Sequence, residues 1–305
     1  MSGTATRQRC DICGTGGDRW LQKQGRTLLK CSACGYAWVP EGVALTGSGQ
    51  SIYEDDTRAL FDDFTDYYQD PTAVEAAAAK LAWVKEFVTP GARLLDVGAN
   101  LGQFVACARD GGYDAAGIEL SPAAVRLAQA TLGDAVKVGS IYSDDLPFSV
   151  SSGAPSGASD GRFDAVTMFD VIEHLPDPGL ALRRAHALLS PGGRLFLTTP
   201  DLGSRYARLM GAHWHHLDLE QHISLFSAAT LTRLLGANGF ALLDRRTVGR
   251  TYRASYVQRR VGDLASRSLA FRGLQAALLP LRLTPGAGIP INLGDVMGVV
   301  ALRIS

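Results

Sequence analysis

Three kinds of feature are absent from this sequence of 305 residues. No apolar run approaches the roughly 18 residues that a helix needs to cross a bilayer, so no transmembrane helix is expected. The first ten residues, MSGTATRQRC, contain no apolar stretch like that of a secretory signal, which predicts a cytoplasmic protein. Acidic and basic residues are equal in number, 30 of each, so the chain as a whole is not built to bind polyanions. With 46% apolar residues, we expect a globular protein with a substantial core.

The charges are nevertheless unevenly distributed. From Arg245 to the end there are ten arginines against two acidic residues, Asp263 and Asp295, which gives this part a net charge of +8. A basic part of this kind can contact a polyanion, dock on an anionic membrane or a partner, or form a solvated helix face. The sequence leaves these alternatives open.

Cysteine is scarce, and its positions are informative. Four of the five cysteines form the pattern C-x2-C-x17-C-x2-C: Cys10, Cys13, Cys31 and Cys34. Disulfides are not expected without an export signal, whereas two CxxC pairs at this spacing fit a tetrahedral zinc site with four thiolate ligands. We therefore predict a structural zinc ribbon over residues 1–45, with a hairpin that turns at Gly25. A module this small should owe most of its stability to the metal.

Strand and helix patterns alternate in the rest of the chain. Residues 46–90 are predicted to form a linker and N-terminal helices, and residues 91–305 to form one α/β domain. Five apolar segments are predicted as strands, with helices between them: 93–98, 114–120, 135–140, 162–171 and 194–200. Alternating βα units give a parallel sheet, and ligands bind at the carboxyl ends of its strands.

Two segments of this domain interrupt the alternation. Residues 149–161 are rich in serine and glycine and are predicted to be a flexible surface loop. Residues 248–292 are predicted to be a basic helical insertion that contacts the substrate or docks the protein on a partner. The stretches ALLDRRTV and VMGVVALRI, on either side of this insertion, are predicted as the sixth and seventh strands.

The stretch LLDVGANLGQFV, Leu94 to Val105, predicts a strand, a glycine loop and a helix. The dinucleotide fingerprint G-x-G-x-x-G requires a glycine where this loop has Asn100, and the β-carbon there would obstruct a pyrophosphate. Asp96, at the end of the strand, repels phosphate but can hold a cation through bound water. We therefore expect a positively charged or zwitterionic ligand without phosphate.

A second acidic residue narrows the choice of ligand. Glu119 ends the next predicted strand, and a carboxylate at that place can accept both hydroxyls of a ribose. A ribose that carries an amino-acid tail describes S-adenosylmethionine (SAM). The loop and Glu119 together thus predict a SAM site.

At this point the sequence resembles the class I SAM-dependent methyltransferases, of the bacterial type with an N-terminal four-cysteine ribbon. The resemblance covers residues 93–200, and more loosely extends to 247, through LLDVGANLGQF, GIELSP, FDAVTMFDVIEHLPDP and LLSPGGRLFLTTP. It implies a Rossmann-like, seven-stranded, mostly parallel sheet with an antiparallel last strand and helices on both faces. It also implies that ten residues bind SAM: Asp96, Gly98, Ala99, Asn100 and Gly102 near the methionine part, Glu119 and Leu120 near the ribose, Ser140 and Ile141 near the adenine, and Asp170 beside the sulfonium.

The resemblance also suggests catalytic residues. Many bacterial members with a ribbon have a Trp followed by His-Leu-x-x-Phe-Ser, which appears here as Trp214 and HISLFS, with isoleucine in place of leucine. This implies that His222 is the general base or binds a substrate hydroxyl. Ubiquinone-type O-methyltransferases carry a similar Glu-His segment linked to a divalent ion, so Glu173 and His174 are candidates for a second ion. His174 is otherwise expected to fix its loop.

Two functions remain in view. The first is methylation of a small-molecule or glycan acceptor, such as a sugar hydroxyl or a lipid-linked saccharide, with the ribbon as a structural cover or dimer contact. The alternative is a ribosomal-RNA methyltransferase in which the ribbon and the basic C-terminal helices bind RNA. Between its cysteine pairs the ribbon has few basic residues and no clear stacking platform, which favours the first hypothesis.

Overall fold

The structure is a computed structural model that describes residues 7–42, 71–144, 146, 148, 162–254, 258, 262 and 288–304. Residues 46–70 of the predicted linker, the predicted loop 149–161 and most of the predicted insertion 248–292 lie outside the described residues. Within the described part of the chain, no helix has the length and apolar character needed to span a membrane.

Thirteen strands and six α-helices are present in the described residues. The strands are β1 (Gly17–Lys23), β2 (Arg26–Cys31), β3 (Ala37–Trp38), β4 (Arg93–Val97), β5 (Asp114–Glu119), β6 (Val136–Val138), β7 (Phe163–Phe169), β8 (Leu189–Pro200), β9 (Ser224–Leu225), β10 (Phe240–Thr247), β11 (Arg250–Arg253), β12 (Gly288–Ile291) and β13 (Val296–Arg303). The helices are α1 (Pro71–Lys85), α2 (Gln103–Asp110), α3 (Pro122–Leu132), α4 (Pro178–Leu188), α5 (Arg205–Met210) and α6 (Ala228–Ala237).

The central sheet has seven strands in the order β10-β13-β8-β7-β4-β5-β6. The pairs β8–β7, β7–β4, β4–β5 and β5–β6 are parallel, whereas β13 runs antiparallel to both of its neighbours. Strand β4 is almost entirely buried, because helices cover both faces of a parallel sheet and leave its central strands inside. The predicted Rossmann-like sheet with an antiparallel last strand is therefore confirmed.

Local signals set the ends of several helices. Ser121 caps α3 by accepting a hydrogen bond from the amide of Ala124, and Pro122 occupies the first turn. Ser227 and Thr230 form a reciprocal capping box at the start of α6. The helix α4 ends at Leu188, and the proline-glycine segment 191–193 that follows belongs to the long strand β8.

The N-terminal ribbon is a hairpin fused to the main domain. Strands β1 and β2 are joined by Gln24 and Gly25, both with positive φ (53° and 70°), as in the tight turns that favour right-twisted hairpins. Strand β3 pairs with β2 on one side and with β9, from the main domain, on the other. The ribbon thus contributes three strands to a four-stranded sheet that the main domain completes.

Aromatic packing strengthens this junction. Tyr36 and Trp38 are fully buried, and their rings stack with centroids 5.6 Å apart. Tyr36 also packs against Phe226 of the main domain, at 5.3 Å between centroids. The indole N–H of Trp38 donates to the carbonyl oxygen of Arg7 at 2.8 Å, so its polar atom is satisfied inside the core.

The prediction of a helical insertion over residues 248–292 is wrong at both ends of that range. Strands β11 and β12 form a two-stranded antiparallel sheet, in which Thr251 lies opposite Pro290 and Arg250 opposite Ile291. The partner strand comes from almost forty residues further along the chain, and such non-local pairing overrides a local helical pattern.

Gly17 allows a test of the junction. A β-carbon at Gly17 would clash with the buried ring of Trp38, whereas one at the adjacent Gly16 would meet nothing within 4 Å. We expect Gly17→Ala to lower the free energy of unfolding by about 1–3 kcal/mol, the usual cost of overpacking a core. Chemical denaturation of both variants checks this, and equal effects of Gly16→Ala and Gly17→Ala would contradict the packing described for Trp38.

Candidate functional site

The loop after β4 is fastened to the end of β5. Gly98 and Asn100 have positive φ (73° and 50°), which turns the chain sharply away from the strand. The amide of Gly98 donates to the carbonyl oxygen of Ile118 at 2.9 Å, and the amide of Asn100 donates to Oε2 of Glu119 at 2.9 Å. The predicted glycine loop and the predicted ribose-binding acid therefore lie side by side.

The two loop glycines are required by packing as well as by conformation. A β-carbon at Gly98 would lie 2.6 Å from Cγ2 of Val171, and one at Gly102 would lie 2.5 Å from Cδ1 of Leu132. Val171 follows β7 and Leu132 ends α3, so these glycines let the loop pack closely against those two places. The sequence motif predicted the loop correctly, but it does not reveal this second reason for the glycines.

Asp96 is a buried acid at the end of β4, with 4% of its surface exposed. Its Oδ1 accepts a hydrogen bond from the hydroxyl of Thr167 at 2.5 Å. Burial raises the pKa of Asp96 to about 7, against the opposing effects of the Thr167 hydrogen bond and the positive charge of Lys80. A cationic ligand group beside Asp96 would favour its ionised form.

Asp170 follows β7 in a left-handed conformation, with φ of 60°. Its Oδ1 accepts from the Thr198 hydroxyl at 2.9 Å and from the Arg250 guanidinium at 2.7 Å, and Lys80 Nζ lies 4.0 Å from Oδ2. Burial opposes ionisation, but the charges of Arg250 and Lys80 prevail and lower the pKa of Asp170 to about 2. Asp170 is thus an anion throughout the physiological pH range.

A cavity of about 230 Å³ separates the helix α1 from the ends of β4 and β7. Its walls are formed by Ala73, Ala76, Ala77, Lys80, Asp96, Gly98, Ala99, Asn100, Gln103, Phe104, Phe169 and Asp170. Two buried polar atoms among them, Oδ1 of Asn100 and Nε2 of Gln103, have no hydrogen-bond partner among the described residues. Since a buried unpaired polar atom costs about 1–3 kcal/mol, these atoms indicate a polar ligand. The cavity therefore suits a ligand with polar groups.

The other predicted SAM contacts lie along the same sheet edge, outside this cavity. Both carboxylate oxygens of Glu119 accept backbone amides, from Asn100 and Ser121, at 2.9 Å each. The next residue, Leu120, is 41% exposed, and Ser140 and Ile141 follow β6. Gly102 does not line the cavity, since it begins α2 on the far side of the loop.

Two cations at this site were not predicted. Lys80 lies on α1 next to the small residues Ala76 and Ala77, and its Nζ is 4.9 Å from the ring centre of Phe169. A lysine directly after a run of four alanines was the available signal. No sequence signal pointed to Arg250, because its partner Asp170 is eighty residues away in sequence.

A second cluster combines one carboxyl group and two imidazoles. Ligand atoms of Glu173, His174 and His222 all lie within 4.8 Å of one another. Nδ1 of His174 lies 3.0 Å from the carbonyl oxygen of Gln221, and Nδ1 of His222 lies 2.7 Å from that of His216. A carbonyl only accepts, so both Nδ1 atoms carry a hydrogen and both Nε2 atoms hold a lone pair. The structure thus brings together the two predicted catalytic histidines.

Burial sets the charge state of this cluster. Glu173 is 1% exposed and accepts a hydrogen bond from the Thr199 hydroxyl at 2.9 Å. Burial and the negative charge of Asp170 raise the pKa of Glu173 to about 7. Burial lowers the pKa of both His174 and His222, which favours neutral imidazoles.

The four ribbon cysteines also converge. Sγ of Cys10 lies 3.4 Å from that of Cys34, Sγ of Cys13 lies 3.4 Å from that of Cys31, and all four sulfur atoms lie within 4.8 Å of one another. Gly14 and Gly35, which follow the two cysteine pairs, have positive φ, and the amide of Ile12 points at Cys10 Sγ at 3.4 Å. Four sulfur atoms gathered in this way suit a tetrahedral zinc ion.

Relatives of this chain include O-methyltransferases. A ubiquinone biosynthesis O-methyltransferase of Xanthomonas campestris pv. campestris is 33% identical over 159 residues, which are 48% of this chain and 61% of that protein. The corresponding protein of Xanthomonas axonopodis pv. citri is 35% identical over 150 residues, which are 45% of this chain and 60% of that protein. The match thus spans about three fifths of the length of these curated relatives.

The fold has a solved counterpart. A Haloferax volcanii protein described as a methyltransferase, in complex with the Trm112 methyltransferase activator, superposes with a TM-score of 0.54 at 19% identity. The superposition covers 83% of this chain and 99% of that one. At this identity the likeness concerns the fold alone.

The family follows from a longer match. Residues 50–244 match the family model described as "Methyltransferase domain", which is well over half of the chain. The matched part contains the loop after β4, the ends of β5 to β8 and the cluster of Glu173, His174 and His222. The chain belongs to this family, and with it to the class I SAM-dependent methyltransferases.

Proposed function

We propose that this chain transfers the methyl group of SAM to a hydroxyl group of a small molecule, a sugar or a lipid-linked saccharide. The observation that carries the proposal is the cluster of Glu173, His174 and His222, which begins three residues after the cavity-lining Asp170. It offers imidazole lone pairs to a hydroxyl at the same edge of the sheet as the cavity. The printed name of the relatives, O-methyltransferase, agrees with a hydroxyl acceptor.

Several residues that line the cavity have side chains suited to binding SAM. Asp96 would face its ammonium group, while the unpaired Oδ1 of Asn100 and Nε2 of Gln103 would hydrogen bond to its amino-acid end. Glu119 keeps lone pairs for the ribose hydroxyls, since each of its oxygens accepts one amide. When bound, SAM supplies a methyl group on a positively charged sulfur.

His222 is proposed as the general base. Methyl transfer needs the acceptor oxygen in line with the carbon–sulfur bond, and removal of its proton strengthens the nucleophile. Because Nδ1 of His222 donates to the carbonyl of His216, Nε2 is the atom that would take the proton. Glu173 would stabilise the resulting imidazolium, and His174 would orient the acceptor.

The same three side chains would also suit a divalent ion, for which Glu173 and His174 are the sequence-based candidates. Two imidazole nitrogens and a carboxylate suit Zn²⁺ and related cations. Such an ion would lower the pKa of a hydroxyl bound to it. The ribbon cysteines are proposed to hold a separate, structural zinc ion.

One feature of the ribbon favours the second candidate function, RNA methylation. Trp20 is 42% exposed, and Lys30 Nζ lies 4.5 Å from its ring centre. An exposed aromatic ring beside a cation is a surface on which a base can stack. It is a single ring, however, and Arg246 and Arg250 of the basic C-terminal part are paired within the protein, with Glu86 and Asp170.

Labelled SAM distinguishes the two candidates. The purified protein is incubated with methyl-labelled SAM and an extract of the source cells, and the products are separated into RNase-sensitive, lipid-extractable and small-molecule fractions. We expect the label in the lipid or small-molecule fraction. Label that disappears on RNase treatment would overturn this proposal in favour of RNA methylation.

His222→Ala is expected to lower turnover by about 100-fold or more, because general-base catalysis contributes 10²–10⁴. His213→Ala is the matched control, since His213 is exposed in the same segment. Turnover with saturating SAM and acceptor is the measurement, together with SAM affinity, which should be unchanged in both variants. Undiminished turnover of His222→Ala would eliminate His222 as the base.

SAM affinity is expected to depend on pH through Asp96. With a pKa of about 7, Asp96 is mostly protonated at pH 6 and mostly ionised at pH 8, and only the carboxylate attracts the ammonium group of SAM. The dissociation constant should therefore be about tenfold higher at pH 6 than at pH 8. Isothermal titration calorimetry checks this.

Two variants serve as controls for the pH effect. Asp96→Asn should bind SAM weakly at both pH values, with no such dependence. Asp114→Asn, which alters an exposed acid of the same sheet, should keep the wild-type profile. If Asp96→Asn retains the wild-type dependence on pH, the titrating group is not Asp96.

A further inference from the structure

A third cluster of metal-binding side chains lies beside the candidate site. His215 and His216 follow Trp214, and their rings are 4.0 Å apart between centroids. Asp295, which precedes β13, lies opposite them and is 4% exposed. Ligand atoms of His215, His216 and Asp295 are all within 4.8 Å of one another. Asp295 is eighty residues from His215 in sequence, so no local pattern connects them.

The distances within this cluster are those of ligands around an ion. Nε2 of His215 lies 3.7 Å and Nε2 of His216 lies 3.9 Å from the same oxygen, Oδ2 of Asp295. Both separations are too long for a hydrogen bond. They agree with two ligands that are each about 2.0–2.2 Å from a shared zinc ion.

The burial of His216 gives a second argument for a bound ion. His216 is only 6% exposed, and its Nε2 has no hydrogen-bond partner in the part of the chain that the structure describes. A buried imidazole nitrogen without a partner costs free energy, and a cation placed between it and Asp295 would remove that cost. This observation is independent of the geometry of the cluster.

Trp214 holds the carboxylate in place. Its indole N–H donates to Oδ2 of Asp295 at 2.9 Å, and Trp214 itself is fully buried. Metal-binding carboxylates are commonly fixed by a hydrogen bond from a neighbouring group of this kind. His215 is 21% exposed on its side chain, so an ion can enter from that side.

We infer that His215, His216 and Asp295 form a binding site for a divalent transition-metal ion, of which Zn²⁺ is the best match. Two imidazole nitrogens and one carboxylate oxygen are typical zinc ligands, and three protein ligands leave a coordination position for water or another oxygen ligand. The site is separate from the cysteine cluster and from the cluster of Glu173, His174 and His222. It does not depend on the proposed methyl transfer.

The metal content of the whole chain tests this inference. Wild type and variants are loaded with Zn²⁺, dialysed against metal-free buffer and measured by inductively coupled plasma mass spectrometry. We expect His216→Ala to retain one zinc ion fewer per chain than wild type. His213→Ala, an exposed neighbour, should retain the wild-type number.

A second variant distinguishes weaker metal binding from loss of the folded structure. Asp295→Asn keeps an oxygen that accepts the Trp214 hydrogen bond but removes the charge, so it should weaken zinc binding at this site by about tenfold or more while the circular dichroism spectrum is unchanged. Cys13→Ser is expected to lose a different ion, from the ribbon. Equal zinc content and affinity in wild type, His216→Ala and Asp295→Asn would overturn the inference, as would zinc that is lost only in Cys13→Ser.

Discussion

The burial of the Glu173 carboxyl group is the constraint on which the rest of the site depends. A carboxyl with 1% exposure requires internal partners, and Thr199 at the end of β8 supplies a hydroxyl at 2.9 Å. The backbone carbonyl of Glu173 accepts the amide of Ile223, whose own carbonyl accepts the amide of Val39 in the ribbon, each at 2.9 Å. The sheet, the histidine segment and the ribbon are therefore linked through consecutive hydrogen bonds at one edge.

This linkage gives the ribbon a part in the site. The segment that carries His216 and His222 leads directly into β9, and β9 pairs with β3 of the ribbon. Tyr36, next to β3, also shares a hydrogen bond of 2.9 Å with Ser224 of β9. Loss of the ribbon's internal order would therefore release the segment that positions His222. The ribbon therefore supports the segment that carries His222 through strand pairing and side-chain contacts.

The parts of the structure that local sequence determines were predictable. The apolar run before Asp96, the positive-φ glycines and the helix caps each act within a few residues, as do the paired cysteines. The remaining parts come from contacts between distant residues. Arg250 reaches Asp170 across 80 positions, and the Trp214 indole reaches Asp295 across 81. The pairing of β11 with β12 is of the same kind, and for that reason the helical pattern was misleading at the two ends of this region.

Part of the uneven charge distribution is explained by such contacts. The basic C-terminal part suggested a surface for polyanions, yet Arg246 donates to both carboxylate oxygens of Glu86, at 2.8 Å each. Arg250 is committed to Asp170, beside the cavity. These arginines thus neutralise acids of the N-terminal part, where the excess negative charge lies. A polyanion would have to compete with those internal carboxylates, whereas a neutral hydroxyl acceptor would leave the pairs intact.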